Sequence, residues 1–236
     1  MTIETFNVIE LAQQTYDLGD EVDYYQGVLC SCRLDNNGQP DPDCGCIAGF
    51  RYKDPVTYRL LRTSVYYKEL PAEAGLIYQG GCQFTIDRIA VEPNAQGGYE
   101  VVDDTLSIFD TIGFGDVLVV KNRTRRDRDI LRRGIRDSIW SFDVQEIISI
   151  SQRATFYVEG IDFNLNGTDI EWVTGKGPAN GEAYTVEYLC KQQYVVWDDL
   201  AKDRGVEAVI LPKKILCRLR LYVNLEASGL NLFATS

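Results

Sequence analysis

Residues 161–174 read IDFNLNGTDIEWVT, and this stretch decides the fold class of the chain. Apolar residues alternate with polar ones on both sides of Asn166 and Gly167, as expected of two strands that each bury one face. An Asn-Gly pair between such strands is a strong hairpin signal, because both residues tolerate the positive φ angles of a type I′ turn. Glycine and proline at 175–181 then mark a second turn before another β pattern. The sequence therefore predicts a three-stranded meander over residues 156–189.

Short β patterns separated by glycine, proline and asparagine continue through most of the chain. Apolar residues with helical spacing occur at the N-terminus, over Thr2 to Tyr16. These patterns predict a mostly β protein with a β-barrel or sandwich-like body, hairpins, a short N-terminal helix, long loops and an extended C-terminal arm. The predicted regions are 1–122 (helix, cysteine-rich loop and first β region), 123–136 (a basic loop) and 137–236 (second β region, with the meander and the arm). Alternatively, the same regions form a single domain.

The composition is that of an ordinary globular protein, since 45% of the 236 residues are hydrophobic and 25% are charged. Apolar runs are shorter than the ~20 residues that a membrane-spanning helix needs, so we expect no membrane partner. Residues 1–20 lack the basic start and apolar middle of a secretory signal, which predicts a protein made in the cytosol. The 24 basic and 35 acidic residues give a net charge of −11, which disfavours general binding to nucleic acid or anionic lipid.

The chain contains no histidine. Histidine is the side chain that most often acts as acid or base near neutral pH, and it is the commonest metal ligand. Its absence excludes histidine-dependent catalytic triads and lowers the odds of enzymatic chemistry. We therefore predict that the chain is not an enzyme, has no catalytic residues and takes no small-molecule substrate.

Four of the seven cysteines form two close pairs, Cys30 with Cys32 and Cys44 with Cys46, on either side of a loop rich in glycine, proline and asparagine. Two pairs of thiols joined by such a loop predict a closed tetrahedral zinc site, in which four thiolates leave no position for water. Such a zinc ion is structural, and its binding energy adds to the folding energy. Each pair has one intervening residue, whereas zinc knuckles use roughly two to four. Disulfides and free thiols are the alternatives, and no other cofactor is expected.

Residues 121–136 carry eight basic and two acidic side chains, a local charge of +6. The other 220 residues therefore carry −17, since the whole chain carries −11. The predicted contact residues are the arginines of this segment: Arg123, Arg125, Arg126, Arg128, Arg132, Arg133 and Arg136. Arginine suits both carboxylate and phosphate because its planar fork binds either in a bidentate manner. The partner is an acidic face of a neighbouring subunit or DNA, and the third interpretation is a solvated loop between strands.

Two phrases of the sequence carry a family resemblance. The residues are Val158 to Trp172, Gly177, Pro178, Gly181, Tyr184, Val186 and Tyr188, together with the loop GQPDP at 38–42, Cys46 and Gly49. They resemble sequence motifs of structural proteins of tailed bacteriophages. These motifs comprise a tight turn, a return strand ending in tryptophan, a Gly-Pro turn, a Tyr-x-Val-x-Tyr strand and a cysteine-rich loop. The cysteine pairs of those loops are usually spaced more widely than here. The resemblance implies a virion component of the neck or tail, and within it a head-to-tail connector or collar subunit of a contractile-tailed phage, which forms a ring around the DNA channel.

The leading hypothesis from the sequence is thus a ring-forming neck protein that joins the portal to the tail. Its predicted partners are other copies of itself, portal or adaptor proteins, tail proteins and, in passing, the packaged DNA. Ring interfaces need two different complementary patches on each subunit, which the basic segment and the acidic remainder supply. Its predicted location is the virion, after synthesis and assembly in the cytoplasm of the host bacterium. The alternatives are a baseplate or tail-tip adaptor and, from another class, a zinc-containing nucleic-acid-binding module.

Overall fold

Strands make up most of the computed structural model. The described residues are 8–32, 46, 49–64, 81–103, 106–139, 141–199, 205–206, 209–210 and 212–219. The helices among them are α1 (Val8–Leu18) and α2 (Ser107–Thr111). The strands are β1 (Asp20–Tyr25), β2 (Gly27–Leu29), β3 (Phe50–Tyr52), β4 (Val56–Ser64), β5 (Gly81–Ile86), β6 (Ala90–Pro93), β7 (Tyr99–Asp103), β8 (Val117–Arg132), β9 (Val144–Gln152), β10 (Thr155–Tyr157), β11 (Phe163–Asn166), β12 (Asp169–Trp172), β13 (Ala183–Asp199), β14 (Gly205–Val206), β15 (Val209–Ile210) and β16 (Lys213–Leu219). The predictions of a mostly β chain and of a short N-terminal helix are confirmed.

Helix α1 lies where the apolar spacing predicts a helix and extends slightly beyond it. Its Ala12 and Thr15 side chains are buried on one face, while Leu18 is exposed. Gly19 ends the helix, and its N–H donates to the Thr15 carbonyl at 2.8 Å. The predicted helical residues 2–7 lie outside the described part of the chain. Within the described part, no helix is long and apolar enough to cross a membrane.

The chain forms two compact units and passes between them within β8 and within β13. Unit 1 comprises Met1–Val119 and Gln193–Ser236, and unit 2 comprises Val120–Gln192. The sequence predicts a different division, with one boundary at 123–136 and everything after it in a second region. The C-terminal strand explains the difference, because β16 pairs with β5 of the N-terminal part.

The sheet of unit 1 contains β1, β4, β5, β16 and β13, which pair in this order as antiparallel neighbours. Strands β1 and β13 each also pair with β8. Its core contains Val22, Leu60, Phe84 and Ile215, which are fully buried. Because β16 lies inside this sheet, the predicted C-terminal arm is a paired strand as far as Leu219, and residues 220–236 lie outside the described residues.

Unit 2 packs the β11–β12 hairpin against a sheet in which β9 pairs with β10 and with β13. One cluster of buried side chains joins these layers, with Phe163 and Ile170 from the hairpin and Ile150 and Val186 from the sheet. The predicted three-stranded meander is wrong, because β13 pairs with β9 and β12 pairs only with β11 among the described strands. The turn segment 175–181, with three glycines at positive φ, lets the hairpin fold over the sheet and bury its apolar side.

The hairpin turn itself lies one residue later than predicted. Asn166 pairs with Asp169, so the turn residues are Gly167 and Thr168. Gly167 has a φ of 63° and Thr168 does not have a positive φ. A glycine at the first turn position is typical of a type II′ turn, whereas type I′ needs positive φ at both positions. As a result, Phe163 pairs with Trp172 across the hairpin.

The predicted basic loop at 123–136 is wrong for most of its length. Arg123 to Arg132 belong to β8, and residues 133–135 form the turn that follows. Polar and charged side chains occupy both faces of this strand. The half-buried face carries Arg125, Asp127 and Asp129, so the apolar alternation that marks a strand is missing from the sequence. The composition of residues 123–136 therefore resembles that of a loop.

Candidate functional site

The first candidate site is a thiol cluster formed by Cys30, Cys32 and Cys46. The pairing of β2 with β3 in unit 1 positions it, because the Cys30 N–H donates to the Gly49 carbonyl at 2.8 Å just beyond the paired strands. This bond holds the first cysteine pair beside the segment that carries Cys46. Cys44, the fourth predicted ligand, lies outside the described residues.

The geometry of the thiol cluster suits a metal ion. The three sulfur atoms all lie within 4.8 Å of one another, and Sγ of Cys32 is 3.5 Å from Sγ of Cys46. Ligands about 2.3 Å from a tetrahedral zinc ion are about 3.8 Å apart. The three residues are free cysteines, and a disulfide would hold two sulfurs at about 2.05 Å. The thiol cluster can therefore hold a metal ion.

The surroundings of the thiol cluster disfavour thiolates that lack a counter-ion. Cys30 and Cys32 are buried, and Cys46 is half-buried. Burial raises the pKa of Cys46 to about 12, the neighbouring Cys32 and Cys30 add to this effect, and a backbone hydrogen bond at Gly49 opposes it. A bound cation reverses this preference because it stabilises thiolates directly.

The second candidate site is the arginine row, which we define as Arg126, Arg128 and Arg132 on the exposed face of β8. Side chains two residues apart on a strand point the same way and are separated by about 7 Å. Ile130 belongs to the same face and is 71% exposed. The arginine row thus combines three guanidinium groups with an exposed apolar side chain.

Glu187 on β13 contacts two members of the arginine row. Nη2 of Arg126 donates to Oε2 of Glu187 at 2.6 Å, and Nη2 of Arg128 donates to Oε1 at 3.2 Å. The hydrogen bond from Arg126 is the main reason that the pKa of Glu187 lies below its ordinary value. Arg132 donates a long hydrogen bond of 3.5 Å to the Gly181 carbonyl. Since one carboxylate faces two guanidinium groups, the arginine row keeps a net positive charge.

The other arginines of the predicted contact set differ in their surroundings. Arg123 is exposed on β8, whereas Arg125, Arg133 and Arg136 are half-buried. The Arg133 guanidinium lies 4.9 Å from the centroid of the Trp172 ring, which is a cation–π contact. Arg133 therefore supports the fold of unit 2, and the structure does not bring all seven arginines to one surface.

Sequence reasoning missed two acidic residues that organise unit 2, Glu187 and Asp137. Oδ1 of Asp137 accepts hydrogen bonds from Trp172 Nε1 at 3.2 Å and from the Tyr184 hydroxyl at 2.5 Å, and Oδ2 accepts one from the Gly134 N–H at 2.7 Å. Burial and the bond to Asp137 raise the pKa of Tyr184. The alternating pattern of β13 predicts that Glu187 lies on the less buried face of this strand. No local pattern indicated that β8 is the strand whose arginines contact Glu187.

Comparison with known proteins relates one part of the chain to a family. Residues 123–207 match the model of a domain of unknown function, DUF4815. The matched stretch begins within β8, contains the whole arginine row and both members of the β11–β12 hairpin, and ends just after β14. No curated protein matches the chain. The matched region therefore includes the second candidate site and excludes the thiol cluster.

Proposed function

We propose that the chain is a structural subunit of a virion, a ring-forming head-to-tail connector or collar protein of a tailed phage that joins portal and tail around the DNA channel. The observation that carries the proposal is the arginine row, exposed on a chain that has a net charge of −17 outside residues 121–136. Head-to-tail rings need two complementary patches on every subunit. The resemblance of Val158 to Trp172 to phage structural proteins supports the assignment to a virion.

Exposed apolar side chains favour a protein as the partner of the arginine row. Ile130 is 71% exposed within the row, and Ile135 in the following turn is 63% exposed. Protein interfaces combine an apolar centre with a polar rim, whereas binding to a phosphate backbone depends mainly on charge. In the proposed ring, carboxylates of the next subunit pair with the arginines while an apolar side chain covers Ile130.

The first test removes the positive charge of the arginine row. The variant carries Arg126→Ser, Arg128→Ser and Arg132→Ser. It is expected to fold, because surface ion pairs contribute little to stability and Arg133 remains on Trp172. Sedimentation velocity over a range of concentrations should show association of the unaltered protein and at least about tenfold weaker association of the variant.

The matched control removes the same number of exposed basic side chains from unit 1. Its substitutions are Arg51→Ser, Lys53→Ser and Arg88→Ser, at residues that are all exposed. We expect the control to associate like the unaltered protein. The proposal is contradicted if the arginine-row variant associates as strongly as the unaltered protein. It is also contradicted if the unaltered protein stays a monomer at every concentration.

Ile130→Ser separates a protein partner from nucleic acid. It should weaken self-association while leaving any binding to a short DNA duplex unchanged. If the arginine row binds DNA, the affinity for the duplex falls by about one decade per decade of salt for each phosphate neutralised. In that case Ile130→Ser leaves self-association unchanged. That outcome supports the nucleic-acid-binding module instead. Electron microscopy of the purified assembly distinguishes a neck ring from a baseplate or tail-tip adaptor through its symmetry.

The thiol cluster supports a further part of the proposal, a structural zinc ion bound by Cys30, Cys32 and Cys46 with Cys44 as the fourth ligand. Metal analysis of protein purified under reducing conditions should find about one zinc ion per chain. Cys32→Ser is expected to lose most of this zinc. Cys82→Ser removes another buried thiol of unit 1 and should keep the zinc. Protein that contains no zinc after preparation with added zinc contradicts this part.

A further inference from the structure

A cleft of about 640 Å³ lies in unit 1, lined by α1, β4 and the β6–β7 hairpin. Small-molecule sites have volumes of roughly 300–1,000 Å³. Part of the wall is apolar or aromatic, with Ala12, Tyr16, Tyr58, Val91 and Leu106 among the lining residues. The cleft therefore offers a surface on which a short chain of methylene groups can lie.

Asp87 is the unusual residue of this cleft. It directly follows β5, is 3% exposed, and has no hydrogen-bond partner for either carboxylate oxygen among the described residues. The hydroxyl of Thr15 on α1 also lines the cleft and is also buried without a partner in the described part of the chain. Burial raises the pKa of Asp87, and the interaction with the nearby Thr15 hydroxyl opposes this effect. Since buried polar groups are nearly always hydrogen-bonded, both groups indicate a place where a ligand supplies donors.

The charges around the cleft favour a cation. Asp87 is joined by three further acidic lining residues, Glu21, Glu92 and Asp103. Arg59 is the basic residue among the described lining residues. Its Nη1 donates to the Tyr16 carbonyl at 2.8 Å, and its guanidinium lies 4.6 Å from the centroid of the Tyr16 ring. The described lining of the cleft therefore carries four carboxylates and one guanidinium group.

We propose that this cleft binds an alkylammonium group. The ammonium donates to Asp87 and to the Thr15 hydroxyl, and the methylene chain packs on the apolar wall. An ammonium group has three donors and no acceptor, which matches two neighbouring acceptors that lack donors. A free alkyl diamine and a lysine side chain of another protein carry the same chemistry. The proposal does not depend on the assignment of the chain to a virion.

NMR titration of the isotope-labelled full chain tests the proposal with three ammonium probes. The probes are butylammonium, the diamine cadaverine and Nα-acetyl-lysine methylamide, and butanol is the neutral control. We expect saturable shifts of the amide signals around Asp87 and Thr15, with dissociation constants of about 1 mM or lower. Butanol should bind at least about tenfold more weakly, because it lacks the charge-assisted hydrogen bond. Tighter binding of cadaverine identifies a free diamine as the source, and tighter binding of the lysine derivative identifies a protein side chain.

Asp87→Asn is the decisive variant because it keeps the shape of the side chain and removes its charge. It should weaken butylammonium binding at least about tenfold and raise the melting temperature, since a buried carboxylate without a partner is removed. Asp110→Asn, on the exposed part of α2, should change neither property. Thr15→Val provides the second measurement if Asp87→Asn does not fold, and it should also weaken binding. Butanol binding as tightly as butylammonium, unchanged binding by the variants, or absence of any shift up to about 50 mM probe overturns the proposal.

Discussion

Replacing Tyr24 with phenylalanine perturbs the hydrogen-bond network around Asp116 in unit 1. Oδ1 of Asp116 accepts the Gly27 N–H at 2.7 Å, while Oδ2 accepts the Tyr24 hydroxyl and the Gly113 N–H, both at 2.8 Å. Gly27 begins β2, the strand that leads into the thiol cluster. The carboxylate therefore connects this strand to β1 and to the segment before β8. Tyr24→Phe removes one of three donors and keeps the aromatic ring.

The expected loss of stability is about 1.5–3 kcal/mol at neutral pH, the usual net contribution of a hydrogen bond to a charged group. Asp116 is 3% exposed, so water does not readily replace the lost donor. Burial raises the pKa of Asp116, and the Tyr24 hydroxyl is one of the groups that oppose this. Removing the hydroxyl therefore raises the pKa further.

The sign of the pH dependence follows from proton binding. A folded-state pKa above the unfolded value of ~3.9 means that the folded protein binds more protons, so the stability contributed by Asp116 falls as pH rises through this interval. Well below the unfolded-state pKa of ~3.9 the carboxyl group is largely protonated in both states, and the effect of Tyr24→Phe is small. The effect grows as pH rises and is complete above the folded-state pKa.

Urea unfolding of both proteins between about pH 4 and pH 8 measures this dependence. Tyr58→Phe is the matched control, because the Tyr58 hydroxyl pairs with the neutral Ser107 Oγ at 2.6 Å. Its loss of about 0.5–1.5 kcal/mol should not vary with pH. A Tyr24→Phe loss that is constant over this range, or that is largest at low pH, refutes the assigned role of Asp116.

Two further substitutions, each compared with a second variant, test unit 2. Asp137→Ala leaves the polar hydrogens of Trp172 and Tyr184 without their acceptor and should cost about 2–4 kcal/mol in urea unfolding, whereas Asp137→Asn keeps an acceptor oxygen and should cost less. Gly177→Ala, at a φ of 84°, places a methyl group against a Trp172 ring carbon, well inside van der Waals contact, and should cost about 2–5 kcal/mol. Gly160→Ala has a similar φ of 78° and nothing within 4 Å of the new methyl group, so it should cost only about 1–2 kcal/mol. Equal losses for the two alanine variants would show that contact with the indole contributes nothing.

Local patterns predicted local structure well. The alternation around residues 161–174 identified both strands of the β11–β12 hairpin, because a half-buried strand needs a side-chain period of two. The same alternation did not reveal that β13 pairs with β9, since strand pairing depends on contacts distant in sequence. In β8 the alternation was hidden, because Arg125 and Asp127 occupy the half-buried face opposite Arg126 and Arg128.

The candidate sites were predictable to different degrees. Cysteine spacing identified three residues that the fold brings together, because Cys30 and Cys32 follow β2 directly and the pairing of β2 with β3 brings the segment that carries Cys46 beside them. The arginine segment was found by its charge, but its division into an exposed row and a half-buried set depends on strand register. The sequence could not show that Asp87 has no hydrogen-bond partner among the described residues. A missing partner is a property of the surrounding fold and leaves no pattern in the sequence.

The carboxylate shared by Arg126 and Arg128 has a consequence for how these side chains recognise a partner. Long side chains lose rotamer entropy when they are immobilised, and the bonds to Glu187 have already restricted two of them before any encounter. An arriving anion must also compete with this internal counter-ion for the same N–H donors. A single small anion gains little from that exchange, whereas an extended acidic surface gains several contacts together. If the arginine row binds a partner as proposed, the internal carboxylate thus disfavours isolated ions and favours extended anionic surfaces.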